Sequence, residues 1–483
     1  MNDTMNLLIL MADQHAPDAL SFLEHPLVRT PNIDRLASRG TCFTSAYSPS
    51  PLCVPARAAI ATGRDVHEIG AWDNAHPYEG TPEGWAHAAT AAGVNTTSIG
   101  KLHYRSENVA TGFKRSLLPM HVVEARGDIL GSVRNPLPQL SKGRSLAAGV
   151  GIGETSTTHY DRSIAETACA EIALRAKDKA DDGRWLMFVS FVAPHFPLTA
   201  PEEFAALYNP DDMPLPAVAT QEEREHPWFA GMRKSLNWDD GFDDETRRKA
   251  VAAYFALTSF MDANVGRVLD ALDAAGLSKN TRVIYMSDHG EALGKRDLWG
   301  KSTLYEESAG IPLILAGPDV PARRIPAPVS LTDLDATVRD ALNVSGSGPA
   351  GTSLLALAQD RAEPPSEVLS QFHGGGSPSG AYMLRFGDWK YVHYVGYPAQ
   401  LFHLPTDPEE RHNRASDPSV SAVLAEGERR LRARLDPEEV DRRAKQAQVA
   451  LVDRHGGRDS VIGRGSFGAT PPPGTKAIYD RGK

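Results

Sequence analysis

The segment Cys53-Val54-Pro55-Ala56-Arg57 holds the residues of this chain best suited to chemistry. Ala56 to Thr62 are good helix formers, Pro55 suits a first helical position, and Gly63 can close the helix. Cys53 is thereby placed at a helix N-terminus, where free N–H groups and the positive dipole end favour an anion. A nucleophile is activated at such a place, and an oxyanion is held there. The competing reading is a small buried hydrophobe, the usual state of a free cysteine. Two more clusters bear on the choice. Asp13-Gln14 and Asp288-His289 together offer two carboxylates, an amide oxygen and an imidazole, a donor set for a hard divalent cation. Taken singly, each Asp reads equally well as a helix N-cap.

Strands must present these residues. Asn6 to Ala12 is a short continuous apolar run, the pattern of a strand buried on both faces, and it leads into Asp13-Gln14. Trp185 to Phe191 is a second such run and leads to Pro194-His195. Arg282 to Ser287 is a third, ending in Asp288-His289-Gly290. In open α/β sheets the site lies beyond the carboxyl ends of the strands, where all three clusters fall. Helical segments alternate with these runs. One begins at Thr30-Pro31, with Thr30 as N-cap and Gly40 as stop. Another carries Tyr254, Thr258, Met261, Val265, Leu269 and Leu272 on one face and ends at Gly276. The alternation predicts an α/β/α sandwich with a large, mostly parallel but mixed central sheet.

The chain of 483 residues has room for one large domain and a smaller one. A net charge of −10 argues against a general nucleic-acid binder. No apolar run reaches transmembrane length, and Met1 to Met5 lacks the basic start of a signal peptide, so a cytoplasmic protein is expected. Three cysteines, Cys42, Cys53 and Cys169, do not make a disulfide framework.

From Asn6 to about His103, and again from Val283 to about Pro318, the chain resembles the formylglycine-dependent (type I) sulfatases of the alkaline phosphatase superfamily. The resemblance is carried by Cys53-Val54-Pro55-Ala56-Arg57, Asp13-Gln14 at a strand end and Thr30-Pro31-Asn32-Ile33. Gly63-Arg64, Gly100-Lys101-Leu102-His103, Ala193-Pro194-His195, Ser287-Asp288-His289-Gly290 and Lys301 extend it, as does Leu401-Phe402-His403-Leu404 near the C-terminus. Within the family it looks most like choline sulfatases, through Ser50-Pro51-Leu52-Cys53 and Asp73-Asn74, and like phosphonate monoester hydrolases. Gln14 and His289 stand where many sulfatases carry Asp and Asn. Fewer carboxylates and an imidazole leave calcium as the first expectation for the single metal but admit manganese or magnesium.

The resemblance implies a mechanism. Cys53 is oxidised to formylglycine by a formylglycine-generating or sulfatase-maturing enzyme, and its hydrate attacks the sulfur of a small aryl or alkyl sulfate ester. The metal, on Asp13, Gln14, Asp288, His289 and residue 53, acts as Lewis acid. Arg57 and Lys101 stabilise the nucleophile, while Lys301, His195 and Asn74 hold the sulfate and assist the leaving oxygen. His103 takes a proton from the second hydroxyl so that the covalent sulfate is expelled. Lys101 and Lys301 read alone are surface charges, and His103 and His195 structural histidines. A phosphonate monoester or phosphodiester hydrolase on the same scaffold is the runner-up, and a non-catalytic anion- or metal-binding relative with unmodified Cys53 a third reading. Phosphate mutases of the superfamily use Thr or Ser in place of Cys-x-Pro-x-Arg. Lys101 and His103 favour sulfate over phosphonate, where the family carries hydroxyl side chains. Gly300 lacks the aromatic expected of the choline-specific subgroup.

The rest says less. Residues 106–156 and 201–242 are irregular, the kind of long loops that set substrate choice, and Trp228, Asn237 and Trp238 are pocket candidates that could equally pack a loop. Residues 1–350 are expected to form the catalytic domain and 351–440 an antiparallel α+β subdomain. There Gly380–Phe386 pairs with Asp388–Tyr394, and Ser419 to Leu435 is a helix. His373 is a specificity candidate. Arg429, Arg430, Arg432 and Arg434 read as solvated cations near a helix end. The tail 441–483 is expected to serve as an oligomerisation arm laid on a neighbouring subunit of a homodimer or tetramer, with disorder as the alternative.

Overall fold

The structure, a computed structural model, describes residues 5–177, 183–346 and 348–479. The first four residues of the expected start and the last four of the tail lie outside the described residues. Eight strands form the main sheet: β1 (Asn6–Asp13), β2 (Gly40–Phe43), β3 (Asn95–Lys101), β4 (Arg115–Met120), β5 (Trp185–Pro194), β6 (Thr281–Ser287), β7 (Leu313–Ala316) and β8 (Arg323–Ile325). Their order is β8-β2-β7-β6-β1-β5-β3-β4. The three apolar runs are the adjacent central strands. β1 pairs in parallel with β5 (Leu7 opposite Leu186) and with β6 (Ile9 opposite Ile284). Only β7 runs antiparallel to both its neighbours, which makes the sheet mixed.

Because successive side chains point to opposite faces, β1 feeds two cores. Leu7, Ile9 and Met11 join one with Trp85, Leu334 and Val338, while Leu8, Leu10 and Ala12 join the other with Ile164, Phe260 and Leu269. Helices cover both faces, among them α1 (Pro31–Ala37), α2 (Cys53–Thr62), α3 (Ser156–Lys177) and α5 (Asp244–Ala274), while α4 (Pro227–Leu236) packs in a separate core with Phe372 and Met383. All six apolar-face residues predicted on α5 are buried. α1 departs from expectation at both ends. Thr30 makes no side-chain cap bond to the backbone, and the helix stops at Ala37. Gly40 instead opens β2, where a Cβ would lie 2.5 Å from the Leu315 carbonyl oxygen.

A separate antiparallel sheet follows: β9 (Glu367–Phe372), β10 (Ala381–Phe386), β11 (Trp389–Tyr394) and β12 (Tyr397–His403), in sequential order. β10 and β11 pair Phe386 with Trp389 around the two-residue turn Gly387-Asp388. α6 (Ser421–Arg434) packs on it. The arginines of α6 are paired rather than free: Arg429 and Arg430 with Glu426, Arg432 with Glu438, Arg434 with Asp65.

The tail differs from the sequence reading. α7 (Pro437–Arg454) crosses the division drawn at 440/441, and α8 (Gly457–Arg464) follows it. Val440, Ala444, Leu451, Val452 and Val461 are buried against this same chain. Residues beyond Gly465 then run back across the carboxyl end of the main sheet. The apolar spacing in 437–464 is helical but sparse, and the short helices acquire their cores only by packing on distant segments.

Candidate active site

α2 begins at Cys53, with Leu52 as its N-cap, and closes on Gly63 in the left-handed conformation (φ 65°). Pro55 sits at the third helical position, where its missing N–H is one that the helix leaves unpaired anyway. All ten residues of α2 are buried. Cys53 Sγ lies 3.1 Å from His289 Nε2 and 3.7 Å from Asp13 Oδ1. Metal-binding atoms of Asp13, Cys53, Asp288 and His289 all lie within 4.8 Å of one another.

Arg57, one turn along α2, clamps the two carboxylates. Its Nε donates to Asp288 Oδ2 and its Nη2 to Asp13 Oδ2, each at 2.8 Å. Its Nη1 donates to the Lys101 carbonyl at 2.6 Å and to Ser190 Oγ at 3.0 Å. Lys101 Nζ reaches Asp13 Oδ2 at 2.7 Å. Burial alone would raise the Asp13 carboxyl, but Lys101, His195, Arg57 and His289 together hold it well below its ordinary range. Asp288 Oδ1 accepts the backbone N–H of Gln14 (3.2 Å) and of His289 (3.0 Å).

Gln14 joins a polar chain beside Asp13. Its Oε1 accepts from Lys301 Nζ and its Nε2 donates to Glu291. Glu291 in turn accepts the N–H groups of Leu293 (2.7 Å) and Gly300 (2.6 Å). Lys301 Nζ also donates to His195 Nε2 at 2.8 Å, while His195 Nδ1 faces the Phe196 carbonyl at 2.7 Å. His195 therefore carries its proton on Nδ1. Burial and then Lys301 pull it well below the usual imidazole range, which keeps it neutral. An ammonium has three donors, so Lys301 retains one beyond Gln14 and His195.

His103 follows β3. Its Nε2 is 2.8 Å from Thr470 Oγ1, and its Nδ1 is buried without a partner among the described residues. Burial, then Lys101 and Arg57, hold it well below its ordinary pKa. Gln14 and His103 both have positive φ (66° and 60°), an unfavourable backbone for non-glycine residues, and both sit just past strand ends. Asn74 Oδ1 accepts the Val54 N–H at 3.2 Å, tying the Asp73-Asn74 loop to the start of α2. Burial and Asp13 push the Cys53 thiol up, yet Lys301, His289 and Lys101 outweigh them and bring it below its usual value.

A buried chamber of about 120 Å³ joins these groups, walled by Cys53, Asn74, Lys101, His103, His195 and Lys301. Trp238 lines it; Trp228 does not, being a core residue whose Nε1 donates to the Ser379 carbonyl. His373 is buried edge-on against Trp72 and Tyr382, outside the chamber wall, and neither ring nitrogen has a partner among the described residues. Glu291, Ser190 and Thr470 escaped the sequence reading. Glu291 stands three residues after Asp288 and could have been found there. Thr470 gave no local signal, because only the fold of the tail brings it to His103.

Residues 5–344 match the family model described as Sulfatase, and the chain belongs to that family. It is a sulfuric ester hydrolase. The choline-sulfatase of Rhizobium meliloti (strain 1021) is 31% identical over 428 residues, covering 86% of this chain and 83% of that one. Arylsulfatase K of Rattus norvegicus is 28% identical over 82% of this chain and 72% of that one. Among solved structures, the phosphonate monoester hydrolase of Agrobacterium radiobacter superposes with a TM-score of 0.72 at 23% identity, covering 89% of this chain and 95% of that one. No described helix is long and apolar enough to cross a membrane.

Proposed function

We propose that Cys53 is converted to formylglycine and that this residue carries the hydrolysis of an organic sulfate monoester. One observation supports it above all: the side chain of residue 53 starts a helix and stands 3.1 Å from His289 and 3.7 Å from Asp13 at the floor of a chamber edged by Lys101 and Lys301. The aldehyde, once hydrated, supplies a hydroxyl nucleophile that a thiol cannot. At 1% exposure Cys53 is out of reach of a modifying enzyme in the folded chain, so oxidation must precede closure of the fold.

The residues also fit a divalent cation. Asp13 and Asp288 are each tied back through Oδ2, by Arg57 and, for Asp13, by Lys101, while Asp13 Oδ1 and His289 Nε2 turn toward residue 53. Asp13, Asp288, His289 and residue 53 would hold the ion, calcium first and manganese or magnesium as alternatives, and it would supply Lewis-acid polarisation of the ester. Gln14 serves through Lys301, which it orients. The free donor of Lys301 binds a sulfate oxygen, and His195 fixes the direction of that donor. His103, neutral and partnered by Thr470, accepts a proton in the step that frees the product sulfate.

Lys101 and His103 both line the chamber, and a cation with a titratable base suits expulsion of sulfate. The test is kcat/KM for nitrophenyl sulfate against nitrophenyl phenylphosphonate on aldehyde-bearing enzyme. The sulfate should be preferred; a phosphonate value well above it would overturn the reading.

A further inference from the structure

The chamber adjoins a wider cavity of about 1220 Å³. The two share Lys142, Phe196, Trp238 and Gly468 in their walls, which sets the wider space beside the ester position at residue 53. Its volume exceeds the roughly 300–1,000 Å³ of ordinary small-ligand pockets. Every charged residue in its lining is basic: Lys142, Arg144, Arg233, Lys234 and Arg458, with no Asp or Glu. Yet the chain as a whole has 61 acidic and 51 basic residues.

Arg233, Lys234 and Arg458 are poorly neutralised among the described residues. Arg144 lies 3.2 Å from Asp240. The carboxylate nearest Arg233 is Asp297 at 3.7 Å, and Arg224 already holds it at 2.9 Å. Arg233 Nε is buried without a hydrogen-bond partner among the described residues. Among the described residues Arg458 donates to the carbonyls of Arg134 (3.0 Å) and Pro136 (2.6 Å), and Lys142 to Ser466 Oγ (2.5 Å). Asp128, in the chamber wall, faces Lys142 and accepts from Ser466 Oγ at 3.0 Å, so Lys142 has a carboxylate near it. A cationic leaving group would need free carboxylates or open aromatic faces. The lining has no carboxylate, and of its two aromatic rings Phe196 already carries Lys301 Nζ 5.1 Å from its centroid, leaving Trp238 alone.

We propose that this cavity is the leaving-group subsite and that it selects sulfate esters whose organic part bears a further anion, a carboxylate or a second sulfate. The proposal rests on the sulfatase reading and narrows its substrate class. Several like charges around one low-dielectric cleft raise the local concentration of an anionic substrate, and salt weakens the effect.

The experiment compares nitrophenyl sulfate, the same ester with a ring carboxylate, the same ester with a second sulfate, and choline sulfate, on aldehyde-bearing enzyme. At low salt at least one anionic ester should exceed the parent by roughly tenfold in kcat/KM, mostly through KM. That ratio should shrink with added salt and collapse toward one in Arg233→Gln/Lys234→Gln. Lys234→Glu, at an exposed position with no partner among the described residues, should lower the ratio further. Which ester leads separates a carboxylate from a second sulfate. Choline sulfate turned over best, anionic esters no better than the parent, or a ratio unmoved by salt and by these variants would overturn the subsite. Cleavage of no sulfate ester, the parent included, would instead refute the sulfatase reading on which it stands.

Discussion

Arg57→Lys tests whether Arg57 is a structural clamp as well as part of the site. Lysine keeps the charge but not the fork. Arginine here makes four contacts: Asp288 and Asp13 at 2.8 Å each, the Lys101 carbonyl at 2.6 Å and Ser190 Oγ at 3.0 Å. A single ammonium on a shorter stem reaches one carboxylate at best, so one charge-assisted bond and one or two neutral bonds are lost. At about 1.5–3 kcal/mol for the former and about 1 kcal/mol for each of the latter, the loss is about 3–5 kcal/mol. The same range is expected for breaking a buried ion pair, and these carboxylates are 0% exposed. Denaturant unfolding in the presence of chelator is the assay, because a bound cation would mask the unpaired carboxylate. The midpoint should fall with an unchanged slope. A loss below about 1 kcal/mol would refute the clamp, even if turnover disappeared.

Three other outcomes are expected. Thr470→Val should lower kcat about tenfold, near the ~1.4 kcal/mol of one hydrogen bond to His103, with Thr470→Ser restoring most of it; unchanged kcat would remove the tail from the reaction. Asp161 is buried and raised to about 7, burial outweighing the Ala193 and Val192 N–H bonds. A raised folded pKa gives stability that is full below about pH 4 and lost as pH rises through 7, as much as ~4 kcal/mol. Unfolding of wild type across pH 4–8 should show a larger loss than Asp161→Asn, because Glu410, Asp262 and Asp333 are raised in the same window and remain in both; matching curves would reject it. Gly84→Ala would place a Cβ 1.7 Å from the Ala61 carbonyl oxygen, and should cost about 3 kcal/mol or more in thermal or denaturant unfolding.

The central strands were legible because β1, β5 and β6 are buried on both faces, which turns a strand into an unbroken apolar run. Their ends then located Asp13, Asp288 and, past β5, His195. The helix start at Cys53 was legible from propensity and from Gly63. What escaped was set by tertiary packing. The contacts of the Gln14 amide with Lys301 and Glu291 carried no sequence signal, because the positive φ of Gln14 and the Asp288 bond to its N–H set its direction. Nothing local to His373, a specificity candidate, marked its burial against Trp72 and Tyr382. The tail's polar, proline-rich end carries no periodic signal; Ser466 and Thr470 are held one bond at a time, by Lys142, Asp128 and His103.

The central claim is that residue 53 is an aldehyde in the working enzyme. Peptide mass analysis of protein produced with and without a formylglycine-generating enzyme, read beside nitrophenyl sulfate turnover of the same samples, tests it directly. Turnover should rise in proportion to the fraction of peptide bearing the aldehyde at position 53 and be absent where only the thiol is found. Full turnover from protein whose position 53 is entirely cysteine, or from Cys53→Ala, would contradict it.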